Sequence, residues 1–114
     1  MATPRPFNRF GKYGLETIEA KVVNNTLTFV FENHPFVNSP YNGELLVHFT
    51  KPAPTEATGT MPIYFETQGV SGSRKAVTKA GGIPLLSEDI TVPCYANFFY
   101  DFRTGVVEAI ASIV

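Results

Sequence analysis

The chain has 114 residues, a net charge of −1, one cysteine, 44% hydrophobic and 17% charged residues. That length carries one hydrophobic core, not two, and the composition excludes a disordered chain. The near-neutral charge excludes a long-range field that would draw the whole protein onto nucleic acid or an anionic membrane, and a single thiol excludes both an intramolecular disulfide and a thiolate-rich metal site.

Ten Phe and five Tyr without Trp, beside nine Gly and nine Pro, favour pleated strands joined by tight turns over helices. The expected fold class is all-β: one small β-sandwich, jelly-roll-like module or partly closed barrel, with an extended N-terminal arm. The arm covers residues 1–14 and the domain residues 15–114. Residues 1–14 hold Arg5, Arg9 and Lys12 and no acid, whereas the rest carries six bases against ten acids, so a +3 segment precedes a −4 body. Interleaved Arg and aromatics can stack on single-stranded nucleic acid. Three charges ahead of an acidic body are a poor match to phosphate, however, and no nucleic-acid partner is expected. The arm reads instead as a grip on a protein surface through Arg5, Phe7, Arg9, Phe10, Lys12 and Tyr13, with aromatics burying apolar area and bases setting register. No apolar stretch follows the bases, nor does any run of about 18 apolar residues occur, so neither an export leader nor a membrane partner is expected.

Residues 15–24 and 26–32 read as a hairpin around Asn24-Asn25, since Asn tolerates positive φ. In its second arm Leu27, Phe29 and Phe31 share one face, with Thr28, Val30 and Glu32 on the other; Ile18, Ala20 and Val22 are expected to alternate inward in the first. His34-Pro-Phe-Val-Asn-Ser-Pro-Tyr-Asn-Gly43 is a connection long enough to cross between sheets. Residues 44–51 alternate again, with Leu45, Val47 and Phe49 inward and Leu46, His48 and Thr50 outward. A loop over 52–59 leads to a strand over 61–67, with Ile63 and Phe65 inward. Residues 68–75 form a polar, glycine-rich tip, 76–78 pair briefly, and Ser87-Glu-Asp-Ile90 reads as one helical turn capped by Ser87. Two last strands, 94–102 and 106–113, flank a turn with Gly105 in the left-handed position. The core expected from this pattern is Leu27, Phe29, Phe31, Leu45, Val47, Phe49, Ile63, Phe65, Phe98 and Tyr100.

No residue set carries chemistry. His34 and His48 lie in no metal-ligand spacing. Cys94 lacks basic neighbours that would activate its thiol. Asp89 and Asp101 do not form a catalytic pair, Asp101 being suited to accept hydrogen bonds from its turn. The glycines at 69, 72, 81 and 82 fit no phosphate-binding fingerprint. Catalytic, cofactor-binding and metal residues are all expected to be absent.

The run Pro62-Ile-Tyr-Phe-Glu-Thr-Gln-Gly69, followed by Ala76-Val-Thr-Lys-Ala-Gly-Gly82, Ser87-Glu-Asp-Ile90 and Phe98-Phe-Tyr-Asp-Phe-Arg-Thr-Gly105, resembles small auxiliary (decoration) capsid proteins of tailed, crAss-like bacteriophages. The resemblance covers about half the chain, residues 61–113, and leaves the arm outside it. It implies a structural virion protein on the capsid exterior, assembled in the host cytoplasm, without catalysis. Its partners would be the major capsid protein, neighbouring copies or head fibres. The alternative is a carbohydrate-binding or fibre-adaptor module that uses Tyr41, Tyr64 and Tyr95 as stacking platforms.

Overall fold

The computed structural model describes residues 10–32, 42–70, 73–79, 81–101 and 104–110, with side chains from residue 14 in the first stretch and residue 43 in the second. Arg5, Phe7 and Arg9, the side chains of Phe10, Lys12 and Tyr13, and residues 33–41, with His34 and Tyr41, lie outside the described set.

Among the described residues seven strands form a closed barrel. They are β1 (Phe10–Val23), β2 (Thr26–Phe31), β3 (Asn42–Phe49), β4 (Ile63–Thr67), β5 (Lys75–Thr78), β6 (Cys94–Asp101) and β7 (Val106–Ala109). Around the barrel the order is β1-β2-β4-β5-β7-β6-β3. The β1–β2, β4–β5, β6–β7 and β3–β6 pairs are antiparallel, and β1–β3, β2–β4 and β5–β7 parallel. Closure removes most sheet edges, which would otherwise expose a ladder of unpaired backbone groups.

Closure depends on β1, whose two halves serve different neighbours. Residues 10–16 pair with β3, from Phe10 opposite Asn42 to Glu16 opposite His48. Residues 17–23 pair with β2, from Thr17 opposite Phe31 to Val23 opposite Thr26. The strand therefore starts at Phe10, not Leu15, and residues 10–14, expected in the arm, belong to the barrel wall. An irregularity between Thr17 and Glu19 marks a β-bulge, and one extra residue reverses which side chains face inward. Upstream, Leu15 and Thr17 are buried; downstream, Ala20 packs against the core while Ile18 and Val22 are half-buried. The inward side expected of Ala20 and Val22 holds, since they stand opposite buried Phe29 and Leu27; Ile18 is the exception, being the extra residue that the register skips. The Thr50 N–H donates to Thr17 Oγ1 (3.0 Å) and the Thr50 hydroxyl to the Thr17 carbonyl (3.1 Å), stitching the point where β1 leaves β3.

Asn24 and Asn25 both take positive φ, 49° and 62°, the signature of a type I′ turn that matches strand twist. All ten side chains expected in the core are buried, joined by Leu15, Val77, Leu85, Ala96, Val107 and Ala109. Five phenylalanines meet at the centre. Phe65 lies 5.0 Å from Phe31, 5.2 Å from Phe98 and 6.1 Å from Phe49, and Phe29 lies 4.9 Å from Phe49. In the Phe29–Phe49, Phe31–Phe65 and Phe65–Phe98 pairs edge-to-face geometry aligns ring edges with the negative faces of their neighbours.

The segment around Leu85 covers the core as well. The Ile63 N–H donates to the Leu85 carbonyl and the Leu85 N–H to the Val77 carbonyl, so fully buried Leu85 joins the core, against which Met61, Ile90 and Val92 also pack. The helical turn is a 3-10 helix over Ser87–Asp89. Ser87 is not its cap: the Leu86 N–H donates to Asp89 Oδ2 (2.9 Å), which also pairs with Lys79 Nζ at 3.4 Å. Gly105 has φ 71°, and its N–H closes the last turn on the Asp101 carbonyl.

Candidate docking surfaces

The barrel interior is filled by side chains, so the surfaces open to a partner are its outer faces. On the β2–β4 side the outer layer is largely covered by its own side chains. Arg74, just before β5, donates through Nη2 to Thr26 Oγ1 (2.6 Å) and Thr28 Oγ1 (3.2 Å), and its guanidinium lies 4.3 Å from the centre of the Tyr64 ring. Glu66 stands 3.9 Å from Arg74 Nε and 3.5 Å from Lys21 Nζ. These side chains cross three strands, and Thr28 and Val30 on the outward face of β2 are buried, at 0% and 2% exposure. Beside them Ser73 is buried: its Oγ accepts from the Thr67 N–H (2.9 Å) and donates to the Val70 carbonyl (2.7 Å). A tip that reads as solvated loop thus holds a latch. The Tyr64 ring, expected as a stacking platform, already carries Arg74 on one face.

On the β3–β6–β7 side the strand registers line up rows of outward residues. One row runs Glu16, His48, Tyr95; the next runs Gly14, Leu46, Asn97 and then Ile110, whose N–H donates to the Asn97 carbonyl; a third runs Glu44, Phe99, Glu108. Four large hydrophobic side chains are exposed among the described residues, and three share this face: Leu46 (38%), Tyr95 (66%) and Ile110 (37%). His48 stacks on Tyr95 with ring centres 4.1 Å apart and planes within 4°, which fixes the tyrosine ring at little entropic cost and leaves it standing in solvent. Alternation had placed Leu46 and His48 outward; what it could not supply was Tyr95 and Ile110 beside them, because neighbouring strands there are far apart in sequence.

At the fork where β1 leaves β2 there is a groove of about 350 Å³ lined by Gly14, Leu15, Glu16, Ile18 and Glu32. A Cβ added at Gly14 would meet nothing within 4 Å, so there is open space above this glycine. A second hollow, of about 390 Å³, lies outside β5, β6 and β7 among Thr78, Phe99, Asp101 and Glu108.

The candidates for chemistry are dispersed. His48 is engaged with Tyr95. Half-buried Cys94 has its thiol pushed up from the ordinary 9.0, mainly by desolvation and against a hydrogen bond with the Thr91 backbone, a shift away from reactive thiolate. Asp89 is held by Leu86 and Lys79, and Gly69, Gly81 and Gly82 take positive φ. Among the described residues no three of His, Cys, Asp and Glu gather to hold a metal, and no helix is long and apolar enough to cross a membrane. Compared with known proteins, the chain matches no protein-family model, no curated protein and no solved structure.

Proposed function

We propose that this chain is a structural virion protein, an auxiliary or decoration protein that binds the outer surface of a phage capsid. The observation that carries the reading is the gathering of Leu46, Tyr95 and Ile110 on one outer face. An apolar patch bordered by polar residues, here Glu44 and Glu108 in the next row, is the anatomy of a protein interface, with Asn97 set between Leu46 and Ile110 and Tyr95 as an ordered aromatic anchor beside them. The same sheet carries β1, whose first residue follows directly on the basic residues of the arm, so face and arm can engage one shell together. The resemblance of residues 61–113 to decoration proteins of crAss-like phages points the same way. In this reading the protein performs no catalysis and binds no cofactor; its work is adhesion, and its partner is the major capsid protein.

The test is mass spectrometry and immunogold microscopy of phage particles that contain the chain. Stoichiometric recovery with the major capsid protein, surface labelling, and loss of both in a Leu46→Ser/Tyr95→Ser variant that still folds are expected. A chain that is found free of any particle would sink the idea.

One observation favours a second reading, carbohydrate binding. Tyr95 offers a fixed, exposed ring face backed by His48, with Asn97 and Glu16 near enough in the registers to hydrogen-bond a sugar. Saturable binding on a glycan array that is abolished by Tyr95→Ala would favour it over the capsid.

A further inference from the structure

The groove at the fork of β1 and β2 has three properties that together name an occupant. It is acidic, with Glu16 and Glu32 among its lining residues, and the apolar side chains of Leu15 and Ile18 lie with them. It also runs beside the second edge of residues 10–16 of β1, which among the described residues pair with β3 alone, pairing with β2 starting at Thr17. An edge of this kind accepts a further strand through its backbone groups.

The chain contains a segment of matching chemistry. In extended conformation side chains alternate sides, so Arg5, Phe7 and Arg9 share one face as base, aromatic, base. This complements a groove lined by two acids and two apolar residues. The segment cannot readily reach its own groove. Residues 10–13 are committed to the ladder with Asn42, Gly43, Glu44 and Leu45, so the chain enters β1 at Phe10 about 13 Å from Gly14, at about 3.3 Å per residue. Doubling back would place Arg9 in the reversing turn rather than in the groove.

We propose that residues 5–9 of one copy dock in the Gly14–Glu16–Ile18–Glu32 groove of a second copy, as an added strand held by two ion pairs and a buried Phe7. Because the donor arm and the acceptor groove are different surfaces, the contact is head-to-tail and closes into a ring or extends as a chain of copies. The inference rests on the reading of the arm as a grip but identifies what it grips, and it concerns the protein alone, without a capsid.

Light scattering after size-exclusion chromatography, on the full chain across about 0.05 to 0.5 M salt, tests this directly, since screening weakens ion pairs. The wild-type chain should be oligomeric at low salt and dissociate as salt rises. The variants Arg5→Glu/Arg9→Glu and Glu16→Lys/Glu32→Lys, each checked for folding by circular dichroism, should associate on the order of tenfold more weakly or worse. Mixed together, they should recover association, because each reversed arm then meets a reversed groove. Gly14→Phe, which fills the groove without changing charge, should abolish association as well. A monomeric wild-type chain, charge-reversed variants that associate as wild type does, or a mixture that fails to recover association would each overturn the proposal. Failure of capsid binding would leave it standing, so the two readings fail separately.

Discussion

On the β2–β4 side of the barrel, Arg74 lies across Tyr64 to reach two threonine hydroxyls, Glu66 holds Arg74 and Lys21 together, and Val30 beneath is sealed from water. On the β3–β6–β7 side Leu46, Tyr95 and Ile110 stand exposed beside Asn97, and the stacking of His48 on Tyr95 steadies an exposed ring without covering it. Both walls enclose the same phenylalanine cluster, so the interior does not account for the difference. A wall covered by its own side chains has little apolar surface to offer a partner, whereas a wall that keeps apolar side chains exposed and ordered retains surface whose burial on association is favourable.

The comparison is broken most completely by removing what both walls share. Phe65→Ala takes away a ring that meets Phe31, Phe49 and Phe98 and leaves a cavity where the two sides meet. Urea unfolding should show a loss of about 3–5 kcal/mol.

Next in size is the latch. Arg74→Ala should cost about 1–3 kcal/mol through two lost hydrogen bonds and the lost cation–π contact. Arg74→Lys should recover only part of this, because an ammonium lacks the planar fork that spans Thr26, Thr28 and Tyr64. A thermal melt in which Arg74→Lys matches the wild type would show that charge alone holds that wall.

A smaller effect is confined to alkaline solution. Burial raises Cys94 and Tyr100 above their ordinary 9.0 and 10.0, the latter also through repulsion from Asp101. A group raised in the folded state contributes stability that is complete below its unfolded value and is lost as pH climbs toward its folded one. Stability should therefore hold near neutrality and decline above about pH 9, and Cys94→Ala with Tyr100→Phe should flatten the decline in a series of urea titrations.

The smallest effect on stability belongs to the open wall. Leu46→Ser and Tyr95→Ser should shift stability by no more than about 0.5 kcal/mol, since surface positions away from buried features tolerate change. The capsid binding proposed for that face should nevertheless be lost. A large stability loss at Tyr95 would make it a structural residue and erase the contrast between the walls.

Much of the fold was readable from period-two alternation: Leu27, Phe29, Phe31, Leu45, Val47 and Phe49 fall inward as expected, and Asn24-Asn25 turns as its chemistry requires. Three features escaped. The Ile18 bulge leaves no mark in composition, because an inserted residue changes phase and not residue type. Residues 10–14 read as arm because Gly11 and Gly14 are poor strand formers; they extend because β3 supplies a parallel partner thirty-two positions along the chain. Arg74 and Ser73 looked like tip residues, since their partners on β2 and β4 are set by closure of the barrel rather than by local sequence. Leu46 and His48 of the candidate site were visible as outward residues. Their assembly with Tyr95 and Ile110 needed strand order, which alternation cannot provide.

The division of β1 also bears on the order of events in folding. Residues 17–23 meet β2 across a two-residue turn, a contact that forms quickly with little loop to close, while residues 10–16 wait for β3 to arrive from beyond a long connection. One strand is thus recruited in two instalments. Weakening its second half should slow folding, and weakening its first half should chiefly hasten unfolding, so that the barrel opens first along the seam between β1 and β3.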